Sequence, residues 1–176
     1  TTLIRSYWEL GDILHFDPDT ARRNMELGYY DTRRAMGYLR GCAYAVSCDA
    51  RSCQDAAAFA WQFGQQQKSM REKYPVTLTA DLALRLANLK DAELAPLEAA
   101  AEDVGVDPTQ FYTTETLGKA FLEKCEKDRI ESFAPLFEGS GRAADAARAA
   151  LLPNTFLQAL VYRVLTGPVL PEVIEK

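Results

Sequence analysis

Apolar residues recur at intervals of three and four positions along almost the whole of this 176-residue chain, and this spacing constrains the fold more than any other feature. Side chains at such intervals share one face of an α-helix. Alanine is abundant and runs of β-branched residues are short, which favours helix over strand. No segment shows the strict alternation of a half-buried strand. The sequence therefore predicts an all-α fold and, at this length, a single domain.

Capping residues predict where the helices begin and end. A first short helix is predicted from Leu3 to about Leu14, and a second from Pro18 into the 40s with Asp17 as its N-cap; a break in this second helix near Gly28 or Gly41 is the alternative. The third is predicted to stop before Pro75, because a residue that precedes proline is disfavoured in helical geometry. The other predicted caps are Asp49, Thr79 and Thr113 or Thr114, and the last two helices are predicted over 143–152 and 154–165.

The helical spacing also predicts which apolar side chains face inwards. These residues are Ala56, Phe59, Ala60, Phe63, Met70, Leu82, Leu86, Leu89, Leu97, Leu117, Phe121, Cys125, Ile130, Phe133, Leu136 and Phe137. We expect a charge at an inward position such as Leu97 or Phe133 to unfold the protein.

One sequence motif occurs twice in similar form, as KDAELAPLE at 90–98 and KDRIESFAPLFE at 127–138. The Lys-Asp pairs lie 37 residues apart and the Ala-Pro-Leu triplets 39 apart, each predicted at a turn between two helices. A period in the thirties is typical of stacked helical hairpins, in which only the stack buries each apolar face. A less exact third copy is YLRGCAYAVSCDARSCQDAAAFAWQF at 38–63. The alternative is an irregular α-bundle with a chance echo.

The predicted layout is therefore one domain, 1–176, of stacked antiparallel hairpins in a short solenoid. Its parts are N-terminal helices over 1–37, repeat-like hairpins over 38–140, and C-terminal helices with an extended tail over 141–176. Pro75 and Pro108 lie 33 residues apart, each followed by Thr and a predicted helix. The junction Gly105-Val106-Asp107-Pro108, with Thr113 or Thr114 after it, resembles that of pentatricopeptide repeats, which are helical hairpins of about 35 residues.

This resemblance implies a binding protein. Pentatricopeptide proteins that bind RNA read about one base per repeat along a basic groove. This chain has a net charge of −5 and two or three units, so RNA is the less favoured partner and protein contact the more favoured one. In size, acidic helical character and repeat type the chain is similar to a small accessory subunit of euglenozoan mitochondrial F1-ATPase. That likeness implies a structural subunit on the F1 head, against an α subunit, on the matrix side of mitochondria with its presequence removed.

The sequence offers little material for catalysis. Its single histidine, His15, precedes a helix cap, where a surface or capping role is the ordinary one. The cysteines, Cys42, Cys48, Cys53 and Cys125, lack paired CxxC spacing. We expect free thiols, with a Cys48–Cys53 disulfide as the alternative in an oxidising compartment. We therefore expect no enzyme, no cofactor and no metal, and the absence of a long apolar run predicts no membrane insertion.

A basic and aromatic segment, MELGYYDTRRAMGYLR at 25–40, is the main candidate for a binding surface. Tyrosine and arginine are enriched among the residues that carry binding energy at protein interfaces, and they also stack on bases. The alternative is that the tyrosines are half-buried and the arginines lie over them. An N-terminal arm with Tyr7 and Trp8 would dock on a partner or on the protein itself. The candidate partner-binding residues are Tyr7, Trp8, Tyr29, Tyr30, Arg33, Arg34, Tyr38 and Arg40.

Overall fold

The protein is mostly helical, which confirms the all-α prediction at the level of fold class. The structure is a computed structural model that describes residues 3–11, 17–74 and 78–167. The helices of these residues are α1 (Pro18–Ala35), α2 (Ala50–Lys73), α3 (Ala80–Asn88), α4 (Ala95–Asp103), α5 (Thr114–Lys124), α6 (Lys127–Glu131), α7 (Ala134–Glu138), α8 (Ala143–Leu151) and α9 (Pro153–Thr166). None of the described helices combines the length and apolar character that crossing a membrane requires.

The predicted caps begin their helices as expected. In each case the side-chain oxygen accepts a hydrogen bond from the backbone amide three residues on, over 2.8 to 3.4 Å. This bond satisfies one of the amides that a helix N-terminus leaves without a partner. The four caps are Asp17, Asp49, Thr79 and Thr113.

Helices α4 and α9 form the centre of the protein. The first seven residues of α4, 95–101, are all buried, and α4 packs against α3, α5 and α9. Among the residues predicted to face inwards, only Ala60, Leu86 and Phe137 are partly exposed. The periodicity therefore identified the core correctly.

The last helix packs in a way that the predicted repeat does not include. α9 contacts α2, α4 and α6, although it was expected to flank the hairpins of 38–140. In a solenoid each repeat contacts only its sequence neighbours. Here a C-terminal helix buries Phe156, Leu157 and Leu160 across several elements at once.

Four local predictions are corrected by the structure. Residues 3–11 are not helical, and α1 ends at Ala35 rather than in the 40s. The first helix of the third repeat copy is instead a pair of short strands, β1 (Leu39–Arg40) and β2 (Ala45–Ser47), so the prediction of no strand was wrong. The pair Lys127-Asp128 begins α6 and is not a turn. His15, Pro75 and the predicted tail at 168–176 lie outside the described residues.

A small sheet connects the two halves of the chain. β1 pairs with β2 in antiparallel orientation, and β2 pairs in parallel with β3 (Phe111–Tyr112), so that Ala45 lies opposite Phe111. α1 contacts both β1 and β2. The sheet thereby brings Tyr38, Phe111 and the α1 helix to one side of the molecule.

Candidate interaction surface

Aromatic side chains from three parts of the chain meet on this side of the sheet. We call Tyr29, Tyr30, Arg33, Tyr38 and Phe111 the aromatic face. They line a groove of about 410 Å³ together with Leu39 and residues 47–49, which run from the end of β2 to the N-cap of α2. Tyr29, Tyr38 and Phe111 are 56%, 63% and 53% exposed. These fractions are high for aromatic side chains, most of which are largely buried in a folded protein. Clustered exposed rings mark a surface suited to binding.

Arg33 organises the aromatic face. Its guanidinium carbon lies 5.6 Å from the centre of the Tyr29 ring and 5.8 Å from that of Tyr38, within the range of cation–π attraction. Arg33 Nη1 also donates a hydrogen bond to Tyr29 Oη over 2.9 Å. Because these contacts restrict three flexible side chains before any partner arrives, binding would cost less side-chain entropy.

Arg33 differs from Arg34 and Arg40, the other two arginines of segment 25–40, in its ion pairing. Arg33 forms no ion pair with a carboxylate of the described residues. Arg34 pairs with Asp31 within α1, and both side chains are nearly buried. Arg40 donates to both oxygens of Asp91 over 2.9 and 2.8 Å and to Glu93 over 2.7 Å. Arg34 and Arg40 therefore stabilise the fold. Arg33 is the cation of the aromatic face that stays available to a partner.

The N-terminal arm docks on the protein itself, which was one of the two alternatives. Trp8 Nε1 donates to the carbonyl oxygen of Ala43 over 2.6 Å, and the Trp8 ring packs edge-on against Tyr44 with 6.0 Å between centres. Tyr7 Oη donates to Glu102 Oε2 over 2.9 Å, and burial and this carboxylate raise the pKa of Tyr7. Tyr7 and Trp8 therefore cover the core on a different part of the surface from the groove.

A buried carboxylate stabilises the turn between β1 and β2, which follows Tyr38 closely in the sequence. Glu98 of α4 is 0% exposed, and its Oε1 accepts the amides of Cys42, Ala43 and Tyr44 over 2.8, 3.0 and 2.9 Å. Burial raises the pKa of Glu98, and the amide donors oppose that rise. The turn thus closes around an acceptor that is supplied by a distant helix.

Gly41 allows the backbone to close around this carboxylate. Its φ is +83°, and a Cβ atom there would lie 2.5 Å from the Tyr44 carbonyl oxygen and 2.6 Å from Glu98 Oε1. Both the conformation and the space therefore require glycine.

Replacing Gly41 by alanine is expected to lower the free energy of unfolding by about 2 to 4 kcal/mol, because strain and overlap add. Urea unfolding followed by circular dichroism measures this. Gly64→Ala is the matched control, since Gly64 lies within α2 with nothing within 4 Å of its Cβ position. The control is expected to be neutral or stabilised by up to about 1 kcal/mol. Equal effects of the two substitutions would contradict this account of the turn.

The described residues contain no cluster of three or more side chains suited to a metal ion. The four cysteines are unpaired, and Cys48 and Cys53 are among them. Cys48 is an exposed residue at the edge of the groove, and partial burial of its thiol raises the pKa, with a further contribution from the neighbouring Cys53.

No protein-family model, no curated protein and no solved structure matches this chain.

Sequence reasoning identified four of the five members of the aromatic face and missed Phe111. Tyr29, Tyr30, Arg33 and Tyr38 were candidates from one segment, and the structure brings them together. Phe111 lies more than seventy positions after Tyr38, and only the pairing of β2 with β3 brings it to the groove. The adjacent aromatic residues Phe111 and Tyr112 could have indicated a strand with one exposed ring, because neighbouring side chains of a strand point to opposite faces. In the structure Phe111 is exposed and Tyr112 is buried.

Proposed function

We propose that this protein is a non-catalytic subunit of a larger complex and that it binds a partner protein through the aromatic face. The observation that carries this proposal is the arrangement of three exposed rings around one arginine without a carboxylate partner among the described residues. Tyrosine and arginine of this kind dominate the binding energy of many protein interfaces. The partner surface would supply an apolar patch for the rings and a carboxylate for Arg33.

The F1 head of a mitochondrial ATPase is the partner we propose, with the α subunit as the contact and the matrix as the location. The resemblance to accessory subunits of euglenozoan F1-ATPase supports this choice through size, acidic charge and helical character. A pentatricopeptide-like repeat is part of the same proposal. Its support is local: Leu94 and Phe133 precede the two Ala-Pro-Leu triplets with similar backbone angles, and both triplets begin a helix.

RNA is the alternative partner, and the charges make it the weaker one. Affinity for RNA depends on cations that displace counterions from phosphates. Of the three arginines in the segment 25–40, Arg34 and Arg40 are engaged with carboxylates, and the whole chain has a net charge of −5. A single available arginine beside tyrosines fits a protein surface better than a phosphate backbone.

Substitutions on the aromatic face are expected to weaken partner binding. Arg33→Ala and Tyr38→Ala should each weaken the affinity for an F1 head that has been purified without this subunit by about tenfold to thirtyfold, the effect of removing a main contact. Binding is measured by surface plasmon resonance or isothermal titration calorimetry, and circular dichroism verifies that each variant is folded.

Met25→Ala is the matched control for these substitutions. Met25 lies on the same helix, is 76% exposed and does not line the groove. The control should bind within about twofold of the wild type, the scale of a surface change outside the contact. Unchanged affinity in both face variants would rule out this surface, whereas a wild-type chain that fails to bind F1 would rule out the partner.

A further inference from the structure

A second cavity lies away from the aromatic face, where four separate parts of the chain meet. It has a volume of about 410 Å³ and is lined by residues 3–7, the last turns of α1, the start of the β1–β2 turn and Lys90 between α3 and α4. We call it the N-terminal pocket. Its volume lies in the range of about 300 to 1,000 Å³ that small-molecule sites occupy.

The net charge of the residues that line the N-terminal pocket is opposite in sign to the net charge of the whole protein. Its lining contains Arg5, Arg34 and Lys90 against one carboxylate, Asp31, so the local sum is three minus one, or +2, in a chain of net charge −5. Asp31 is engaged by Arg34. Neither Arg5 nor Lys90 forms an ion pair with a carboxylate of the described residues. Two cations thus remain to attract an anion.

One lining residue, Ser6, contains a polar atom without a hydrogen-bond partner. Ser6 Oγ is buried and forms no hydrogen bond with any described residue. A buried hydroxyl without a partner is unfavourable, and only a change of the Ser6 side-chain rotamer would bring it within reach of an anionic oxygen in the pocket. The thiol of Cys42 is also part of the lining, and burial raises its pKa, so it does not compete as an anion.

The remaining wall is apolar. Leu3, Ile4 and Ala35 line it, and Leu3 and Ile4 are 74% and 42% exposed. A ligand with a hydrocarbon or ring body would cover these side chains while its charged group met Arg5 and Lys90. We propose that the N-terminal pocket binds a small organic anion, with a phosphate or carboxylate group held by Arg5 and Lys90 and an apolar body against Leu3 and Ile4.

Paired ligands that differ only in charge test this proposal on the full chain. AMP against adenosine examines a phosphate source, and hexanoate against hexanol examines a carboxylate source, by calorimetry at low ionic strength. We expect saturable binding of at least one of the two anions, with its neutral partner about tenfold or more weaker, because the neutral ligand lacks the charge that Arg5 and Lys90 attract. Absence of saturable binding for both anions would overturn the site.

Variants then locate the binding. Lys90→Gln and Arg5→Gln should each weaken binding of the anion about tenfold, because each removes a charged contact. Lys68→Gln makes the same change of charge on α2, outside the pocket lining, and should leave the affinity within about twofold. Equal weakening in all three variants would indicate general charge attraction and contradict the pocket, as would no weakening in Lys90→Gln and Arg5→Gln. Circular dichroism verifies that each variant is folded.

Discussion

Replacing Glu98 by alanine is expected to lower the free energy of unfolding by about 3 to 5 kcal/mol, a loss typical of breaking a buried charged interaction. The Glu98 carboxylate is the acceptor for the amides of Cys42, Ala43 and Tyr44. Without it these donors either stay buried without a partner or reach water by opening the turn. Urea unfolding measures the loss, and the near-ultraviolet dichroism, to which Trp8 and Tyr44 contribute, reports whether aromatic packing near the turn has changed.

Two further substitutions, Glu98→Gln and Glu93→Ala, serve as comparisons for Glu98→Ala. Glu98→Gln keeps one acceptor oxygen and places an NH₂ group near amide donors, so an intermediate loss is expected. Glu93→Ala removes a glutamate that is 44% exposed and shares Arg40 with Asp91, and its cost should stay below about 1 kcal/mol. A Glu98→Ala protein as stable as the Glu93→Ala protein would show that the carboxylate does not hold the turn.

A charged residue in the core is expected to have a larger effect still. Leu97 and Phe133 are both 0% exposed, in α4 and at the start of α7. Aspartate at either position would be a buried charge without a partner, and the cavity left by the apolar side chain adds to the loss. Because a domain of this size is stable by about 5 to 15 kcal/mol, Leu97→Asp and Phe133→Asp should each leave the chain largely unfolded at 25 °C.

The control for this pair is Leu84→Asp. Leu84 lies on α3 and is 63% exposed, so the same change of residue type should shift the free energy of unfolding by about 0.5 kcal/mol or less. Far-ultraviolet dichroism and thermal unfolding compare the three proteins. A cooperative transition at the wild-type temperature in either core variant would mean that the helix packing described here is wrong.

The predictions that succeeded from sequence depended on neighbours along the chain. The caps Asp49 and Thr113 bond to amides three residues away, and the inward stripe of α5 repeats every three or four positions. The repeated Ala-Pro-Leu phrase likewise specifies a helix start in both copies. Such features carry their own physical cause within a few residues, which is why a sequence pattern reveals them.

The failures came from contacts between distant residues. Segment 39–47 was predicted as helix because its apolar residues allow it, but the acceptor that holds its turn, Glu98, lies 54 residues after Tyr44. Gly41 was the local signal that a turn was present. Arg40 and Tyr7 were candidates for a partner surface, and their acceptors, Asp91 and Glu102, lie 51 and 95 residues further on. Which residues of a basic aromatic segment stay available therefore depends on the tertiary fold.

Purification of the tagged chain from its native source tests most directly the proposal that this protein is a binding subunit that uses its aromatic face. Mass spectrometry identifies the proteins that accompany the chain, and a parallel assay measures bound RNA. We predict F1 α and β subunits in fixed ratio without RNA for the wild type and Met25→Ala, and their loss for an Arg33→Ala, Tyr38→Ala double variant that remains folded. RNA without these subunits, or equal recovery of them with the double variant, would contradict the account.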